Sequence, residues 1–163
     1  MKAAFLDRDG TINRDYPDAE WRHISEPEIL EGALEGMRYI QSKGYELIII
    51  TNQYTIGEGI ITADQYTAFH AKLLDILKTH GISVLDTFFC PHSRSEQCSC
   101  RKPKTGMINQ ALEKYPAIDL ASSFMCGDSL SDQQCAQSAG LRFFGIKSGI
   151  HPINNLADLQ NHI

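Results

Sequence analysis

The chain has 163 residues, of which 42% are hydrophobic and 21% are charged, and its formal net charge at pH 7 is −5. This length and composition fit one folded domain with a hydrophobic core and exclude disordered and fibrous proteins. Fifteen Lys and Arg residues against twenty Asp and Glu residues, without a basic run, argue against a surface for nucleic acid or an anionic membrane. The apolar run Ala3–Leu6 is too short for a signal peptide, and no run is long enough to span a membrane. We therefore expect a cytoplasmic monomer that binds neither nucleic acid nor a membrane.

Strands and helices alternate along the predicted chain. Apolar, β-branched runs predict strands, and apolar stripes at helical spacing that end at a glycine or before a proline predict helices. In order, we predict a strand at 2–6, a helix at 33–43, a strand at 45–50, a helix that starts at Thr62 and ends at Gly81, a strand at 84–89, a helix at 107–114, a strand at 123–126, a helix capped by Ser131 and Gln134 and closed by Gly140, and a strand at 142–146. The alternation predicts the α/β class, with a Rossmann-like, doubly wound, mainly parallel sheet and residues 1–163 in one domain. The connections after the first two strands are too short for a large cap domain, so the site should be open.

The helix from Thr62 carries the clearest local signals. Thr62 and Gln65 form a capping box, and the predicted buried stripe comprises Tyr66, Phe69, Leu73 and Ile76.

Polar groups follow three of the predicted strands. Asp7-Arg-Asp9 follows the first, Thr51-Asn-Gln53 the second, and Gly127-Asp128 with Asp132 the fourth. The carboxyl ends of parallel strands share one edge of a sheet, where open α/β folds bind their ligands. These groups should therefore converge.

Two carboxylates one residue apart suit phosphoryl transfer. Asp7 can attack phosphorus to form an aspartyl-phosphate, and Asp9 can protonate the leaving oxygen and then activate water. Side chains alternate along an extended strand, so Asp9 can share the pocket with Asp7 while Arg8 points elsewhere. Taken alone, however, an Asp-x-Asp pair is more often a solvated turn.

A cation is needed beside two carboxylates and a phosphate dianion, and Mg²⁺ prefers oxygen ligands of this kind. Asp128 is the natural third oxygen donor. Lys102 and the Thr51 hydroxyl could hold the phosphoryl oxygens. Taken singly, Asp128 would be a helix cap, Thr51 a loop residue and Lys102 a surface lysine.

A second constellation, C-x-H-x5-C-x-C, comprises Cys90, His92, Cys98 and Cys100. Three thiols and one imidazole match a closed, structural Cys3His zinc site. A disulfide is the alternative, which a reducing compartment disfavours, and an iron–sulfur site is less favoured still. The zinc loop, residues 90–100, would aim Arg101 and Lys102 at the phosphate. Of the other two cysteines, Cys126 should be a buried strand residue and Cys135 a residue on a helix face. The other histidines should lie at the surface or at helix ends: His23, His70, His80, His151 and His162.

Together these motifs resemble the haloacid dehalogenase (HAD) superfamily. They are similar to its zinc-containing branch, which holds heptose 1,7-bisphosphate phosphatase and histidinol-phosphate phosphatase, over Ala3 to about Ile146. The resemblance implies the following roles: Asp7 as nucleophile, Asp9 as acid and base, Mg²⁺ on the Asp7 and Asp128 carboxylates and the Asp9 carbonyl, Asp132 as support for the metal site, Thr51 and Lys102 on the phosphoryl group, Asn52 and Arg101 near the substrate, and Zn²⁺ on Cys90, His92, Cys98 and Cys100.

Two positions depart from the heptose enzymes. Glu58 and Ser129 stand where those enzymes commonly carry an arginine and a lysine, whereas the five-residue spacer between His92 and Cys98 is that of the histidinol enzymes. We expect a Mg²⁺-dependent phosphatase of a small phosphorylated metabolite, a sugar phosphate such as heptose 1,7-bisphosphate. The alternatives are histidinol phosphate as substrate, a nucleic-acid 3′-phosphate, which the acidic charge disfavours, and, from another class, a non-catalytic metal-stabilised binding module.

Overall fold

The computed structural model describes residues 1–163 and contains one six-stranded sheet in the order β3-β2-β1-β4-β5-β6. All strand pairs are parallel. The strands are β1 (Lys2–Leu6), β2 (Tyr45–Asn52), β3 (Val84–Cys90), β4 (Phe124–Gly127), β5 (Arg142–Ile146) and β6 (Pro152–Ile153). The order reverses between β1 and β4, as in doubly wound folds, which confirms the predicted class.

Five α-helices connect the strands: α1 (Ala33–Ser42), α2 (Tyr54–Gly57), α3 (Ala63–Thr79), α4 (Gly106–Lys114) and α5 (Leu130–Ser138). Three 3₁₀-helices lie at Asp18–His23, Leu120–Ser122 and Leu156–Asn161. The predicted strands and long helices agree with these bounds to within two residues. The sequence reading missed α2, the 3₁₀-helices and β6, which are too short to show a hydrophobic period. None of the helices combines the length and apolar content that crossing a bilayer requires.

Both faces of the sheet are buried, because alternate side chains of each strand enter different cores. On β2, Leu47 and Ile49 pack in the core that contains α1 and α3 residues, whereas Ile48 and Ile50 pack in the core that contains α4 and α5 residues. This explains the uninterrupted isoleucine run, since a strand covered on both faces has no polar side.

The cap of α5 differs from the prediction. Ser129 is the N-cap, its hydroxyl accepts from the Asp132 backbone N–H at 3.2 Å, and Asp132 Oδ2 accepts from the Ser129 N–H at 3.1 Å. The expected pair, Ser131 with Gln134, is wrong by two residues. Both pairs fit the sequence pattern of a capping box, and the position of the turn after β4 decides between them.

The Thr62–Gln65 capping box of α3 is confirmed. Three residues of the predicted stripe, Tyr66, Phe69 and Leu73, are buried, but Ile76 is only half-buried. His70 and Leu77 are buried as well. His70 was expected at the surface, but it is 9% exposed, and its Nε2 lies 2.9 Å from the Thr87 hydroxyl. A lone histidine on a helix carries no sequence signal that distinguishes a buried partner from solvent.

Candidate active site

A cavity of about 210 Å³ lies at the carboxyl edge of the sheet, at the reversal of strand order. Its lining includes the predicted residues Asp7, Asp9, Thr51, Asn52, Lys102, Asp128 and Asp132. The expected convergence of residues that follow β1, β2 and β4 is therefore present in the structure.

Lys102 reaches the cavity floor and contacts two carboxylates. Its Nζ donates to Asp7 Oδ1 at 2.7 Å and to the Ile50 carbonyl at 2.9 Å, and it forms a 2.7 Å ion pair with Asp132 Oδ1 that lacks hydrogen-bond geometry. Burial lowers the pKa of Lys102, but Asp132 and Asp7 more than offset this and raise it. Lys102 is therefore charged at neutral pH.

Asp7 is 6% exposed, and burial raises the pKa of its carboxyl well above its usual range. The negative charge of Asp132 adds to this effect and the Lys102 ammonium opposes it. The Thr11 hydroxyl approaches the second oxygen of Asp7 at 3.5 Å. Asp7 Oδ2 thus has only one weak hydrogen bond, and this oxygen is suited to attack an electrophile that enters the cavity.

The carboxylates of Asp7, Asp128 and Asp132 lie close enough to share a cation. One oxygen from each falls within 4.8 Å of the others. Burial, followed by repulsion from Asp132, raises the pKa of Asp128 to about 6. Carboxylate oxygens that lie close together are the donor type that Mg²⁺ prefers, so these residues fit the metal. Asp132 already binds Lys102 with one oxygen and caps α5 with the other, and Lys102 also binds Asp7 Oδ1, which leaves Asp128 and Asp7 Oδ2 as the more available oxygen donors.

Asp9 also lines the cavity, and four donors hold its carboxylate. Arg8 Nε and Nη2 donate to its two oxygens at 2.8 and 3.0 Å, Asn13 Nδ2 donates at 3.0 Å and Gln53 Nε2 at 2.8 Å. Arg8 is absent from the cavity lining, as expected, but its guanidinium turns back to the Asp9 carboxylate, a contact that the sequence did not predict. The sequence reading also missed the roles of Asn13 and Gln53.

Of three further predicted site residues, Thr51 and Asn52 line the cavity and Arg101 does not. Thr51 lines the cavity, and its hydroxyl accepts from Gln53 Nε2 at 3.0 Å. Asn52 binds the backbone of Lys102 twice, at 3.1 Å to the carbonyl and at 2.9 Å from the N–H. Arg101 is absent from the cavity lining and donates to the carbonyls of Ser93 and Arg94. A substrate contact by Asn52 or Arg101 stays a prediction, and here both residues brace the loop that carries Lys102.

The four predicted zinc ligands come together within the zinc loop. Cys90 Sγ lies 3.7 Å from Cys98 Sγ and 3.4 Å from His92 Nδ1, which in turn lies 3.2 Å from Cys100 Sγ. A tetrahedral zinc centre separates its sulfur ligands by about 3.8 Å and a sulfur from a nitrogen ligand by about 3.6 Å. The cluster therefore fits zinc.

The thiols of this cluster titrate unevenly. Burial raises the pKa of Cys90 to about 12, whereas backbone N–H donors and the neighbouring thiols overcome burial at Cys98 and lower its pKa to about 6. The cluster thus already favours one thiolate, the form that binds metal.

The rim of the cavity holds residues without a sequence signal. Asp15, Asp18, Trp21 and Tyr54 line it. Next to them, Arg94 of the zinc loop lies over the Tyr54 ring, 4.3 Å from its centroid.

Glu58 binds this Arg94. The guanidinium donates to both Glu58 oxygens at 2.8 Å and lies 3.4 Å from Asp18. The Arg94 guanidinium of the zinc loop thus places a positive charge at the rim of the cavity, paired with the Glu58 carboxylate.

An Asp-x-Asp pair at the end of β1, a lysine on its first carboxylate and an aspartate after β4, on a sheet of this order, define a phosphatase of the HAD superfamily. The family model described as "Polynucleotide kinase 3 phosphatase" matches residues 3–145, and the chain belongs to that family.

Two similar proteins are a heptose bisphosphate phosphatase and a histidine biosynthesis protein. D-glycero-alpha-D-manno-heptose-1,7-bisphosphate 7-phosphatase of Photorhabdus laumondii is 41% identical over 161 residues, covering 93% of this chain and 85% of the relative. The histidine biosynthesis bifunctional protein HisB of Campylobacter jejuni is 34% identical over 150 residues, covering 91% of this chain and 42% of that protein.

A solved structure supports the same assignment. The crystal structure of D,D-heptose 1.7-bisphosphate phosphatase from B. bronchiseptica, complexed with magnesium and phosphate, matches with a TM-score of 0.86 and 27% identity. The match covers 99% of this chain and 97% of that one. The protein is thus a phosphoric monoester hydrolase.

Proposed function

We propose that residues 1–163 form one phosphatase domain that hydrolyses a sugar phosphate, such as heptose 1,7-bisphosphate, through an aspartyl-phosphate on Asp7. The observation that carries this proposal is the buried Asp7 carboxylate, contacted at 2.7 Å by Lys102 on the floor of a polar cavity that Asp9 and Asp128 also line.

In the first step, a carboxylate oxygen of Asp7 bonds to phosphorus and the bond to the leaving oxygen breaks. Asp9 gives its proton to that oxygen, so the product leaves as an alcohol. The Lys102 ammonium and the Thr51 hydroxyl donate to the non-bridging phosphoryl oxygens, where negative charge develops. Asp132 keeps Lys102 charged and in place through its ion pair.

In the second step, water attacks the phosphorus of the aspartyl-phosphate. The Asp9 carboxylate takes a proton from that water, the bond between phosphorus and the Asp7 oxygen breaks, and inorganic phosphate is released. Asp7 returns to its carboxylate form and Asp9 to its acid form, so the cycle closes without an external reagent.

The Asp7 and Asp128 carboxylates and the Asp9 carbonyl would hold Mg²⁺, which supplies positive charge against the carboxylates and the phosphate dianion. Cys90, His92, Cys98 and Cys100 would hold a structural Zn²⁺, which orders a loop with few apolar residues. Thiolate ligands of this kind fit a reducing cytoplasm.

The named relatives and the small cavity support a sugar phosphate. Histidinol phosphate is the alternative, favoured by the resemblance to HisB and by Asp15 and Asp18 at the rim, which suit an amine better than a second phosphate. A nucleic-acid 3′-phosphate accords with the family's description but not with the net charge of −5. A binding module without turnover is the remaining class.

Phosphate release with Mg²⁺ present tests the proposal on heptose 1,7-bisphosphate, other sugar phosphates, histidinol phosphate and a 3′-phosphorylated oligonucleotide. We expect one sugar phosphate to reach a kcat/KM of roughly 10⁴ M⁻¹s⁻¹ or more. A higher kcat/KM for histidinol phosphate or for the oligonucleotide would show that this compound, and not a sugar phosphate, is the substrate. No release from any compound by protein with both metals bound would favour the binding module.

A further inference from the structure

Arg8 carries a charge that the proposed mechanism leaves without a role. It is 1% exposed and is among the largest fully buried side chains of the protein. Its guanidinium lies against three aromatic rings, 4.9 Å from the centroid of Phe69, 5.3 Å from Tyr66 and 5.9 Å from Trp21. Burying an arginine is costly unless its charge is compensated, so this placement requires a reason.

Asp9 supplies the compensation, in the geometry that best fixes a carboxylate. Arg8 Nε donates to one Asp9 oxygen and Nη2 to the other, a planar two-point contact for which an arginine guanidinium is suited and a lysine ammonium is not. Nη1 has no hydrogen-bond partner and is available only to the surrounding rings. Aromatic walls prevent the guanidinium from swinging away, so the carboxylate plane of Asp9 is fixed as well.

The amides of Asn13 and Gln53 complete this arrangement. Asn13 donates to the oxygen that Arg8 Nε binds, and Gln53 donates to the oxygen that Nη2 binds. Gln53 also donates to Thr51, which ties the orientation of Asp9 to the phosphoryl side of the cavity. A residue that only filled this space would be apolar, since an apolar side chain avoids the cost of a buried charge.

We propose that Arg8 is a positioning residue that holds the Asp9 carboxylate where it exchanges protons with the leaving oxygen and with the attacking water. This inference rests on the proposed phosphatase mechanism and adds to it a residue that acts only through Asp9. The aromatic residues Trp21, Tyr66 and Phe69 serve as the wall that keeps Arg8 in place.

Substrates whose leaving groups differ in basicity distinguish a role of Arg8 in positioning Asp9 from a role in folding. An alkoxide must be protonated as it leaves, whereas p-nitrophenolate leaves without a proton, so only the first needs a well-placed acid. The value of kcat/KM reports the steps up to departure of the leaving group, and kcat also includes hydrolysis of the aspartyl-phosphate. A misplaced Asp9 should therefore lower kcat/KM for an alkyl phosphate and spare that for p-nitrophenyl phosphate.

The test compares Arg8→Met and Arg8→Lys with wild type, using p-nitrophenyl phosphate and the best alkyl phosphate of the substrate panel. We expect Arg8→Met to lower kcat/KM for the alkyl phosphate by about 10- to 100-fold and to leave that for p-nitrophenyl phosphate within about twofold. Its p-nitrophenolate release should begin with a burst, because water attack on the phosphorylated Asp7 also needs Asp9. Arg8→Lys, which keeps the charge but loses the two-point contact, should fall between the two.

Arg142→Met is the matched control, because Arg142 also lies over a ring, 4.5 Å from the centroid of Phe144, and is exposed and remote from the cavity. It should match wild type on both substrates. In an Asp9→Asn background, Arg8→Met should have no further effect on the alkyl phosphate.

Equal losses of kcat/KM on both substrates in Arg8→Met and Arg8→Lys would overturn the proposal, because they would show a structural role alone. A further loss in the Asp9→Asn background would overturn it too. Both results leave the phosphatase mechanism standing if wild type turns over. A wild type inactive on every substrate would instead refute the proposed function, and the role of Arg8 with it.

Discussion

Replacing Asp128 by Asn should stabilise the metal-free site at neutral pH and remove the response of the protein to Mg²⁺. Asp128 shares a cluster with Asp7 and Asp132, and Lys102 contacts Asp7 and Asp132 but not Asp128. With a pKa of about 6, Asp128 is ionised at pH 7. Burial and the charge of Asp132 both disfavour this ionised form, and no cationic side chain contacts it. Asparagine keeps the shape of the side chain and removes the charge.

The magnitude follows from the pKa of Asp128, which burial and Asp132 raise from 3.8 to about 6. This difference corresponds to about 3 kcal/mol when the carboxyl is fully ionised. Because Asp128 retains some contact with solvent, we expect roughly 1–2 kcal/mol. The folded pKa lies above the unfolded value, so stability that is present below pH 4 is lost as the pH rises through about 6.

Urea unfolding of zinc-loaded protein at pH 4, 5 and 7, without Mg²⁺, measures this difference. Asp128→Asn should match wild type near pH 4 and exceed its stability at pH 7, and the exposed Asp75→Asn on α3 should follow wild type throughout. Added Mg²⁺ should then stabilise wild type at pH 7 by binding the folded state, with no effect on Asp128→Asn. An Asp128→Asn protein less stable than wild type at pH 7 without Mg²⁺ would refute the charge argument. An equal Mg²⁺ response in both would place the metal elsewhere.

Asp7→Asn should abolish phosphate release while circular dichroism and the unfolding midpoint stay near wild type, and activity close to wild type would exclude the aspartyl-phosphate. Gly10→Ala should lower activity at least about tenfold and stability by roughly 1–2 kcal/mol, because Gly10 has φ +87° and a Cβ there would lie 2.1 Å from Asp128 Oδ2. Phosphate release and a urea midpoint equal to those of wild type would contradict this. Cys98→Ser should lose zinc, measured by atomic absorption, and destabilise the protein by about 4 kcal/mol, whereas retained zinc would mean other ligands. His70→Gln should reduce the loss of stability between pH 7 and pH 4 by about 2 kcal/mol. Burial, followed by the positive charge of Arg8, lowers the pKa of His70 to about 4. Between pH 6.5 and 4 the folded state therefore binds fewer protons than the unfolded chain, and stability falls as the pH falls. Identical urea midpoints of His70→Gln and wild type across this range would contradict the assignment.

Local patterns predicted the framework of the protein well. The isoleucine run of β2 indicated a strand covered on both faces, and Thr62 with Gln65 marked the start of α3. Each signal lies within a few residues and reflects the burial of one strand or the satisfaction of one helix end, so the chain alone displays it. The choice of Ser131 over Ser129 for α5 failed because two local patterns overlapped and only the turn after β4 selects one.

The placement of the candidate site residues followed from one further rule, that parallel strands share an edge. This rule brought Asp7, Thr51 and Asp128 together without any knowledge of side-chain packing. The zinc ligands needed even less, because their types and spacing lie within eleven residues.

Only the tertiary structure decided how the side chains are used. Arg8 turns back to Asp9 because three rings from two separate segments enclose it, and Asn52 grips the backbone of Lys102 from 50 positions away. Such contacts depend on distances and angles between elements that are remote along the chain, and no local pattern records them. The sequence by itself therefore determined the sheet, its polar edge and the two clusters of candidate metal ligands, whereas packing determined which carboxylates other side chains hold in place.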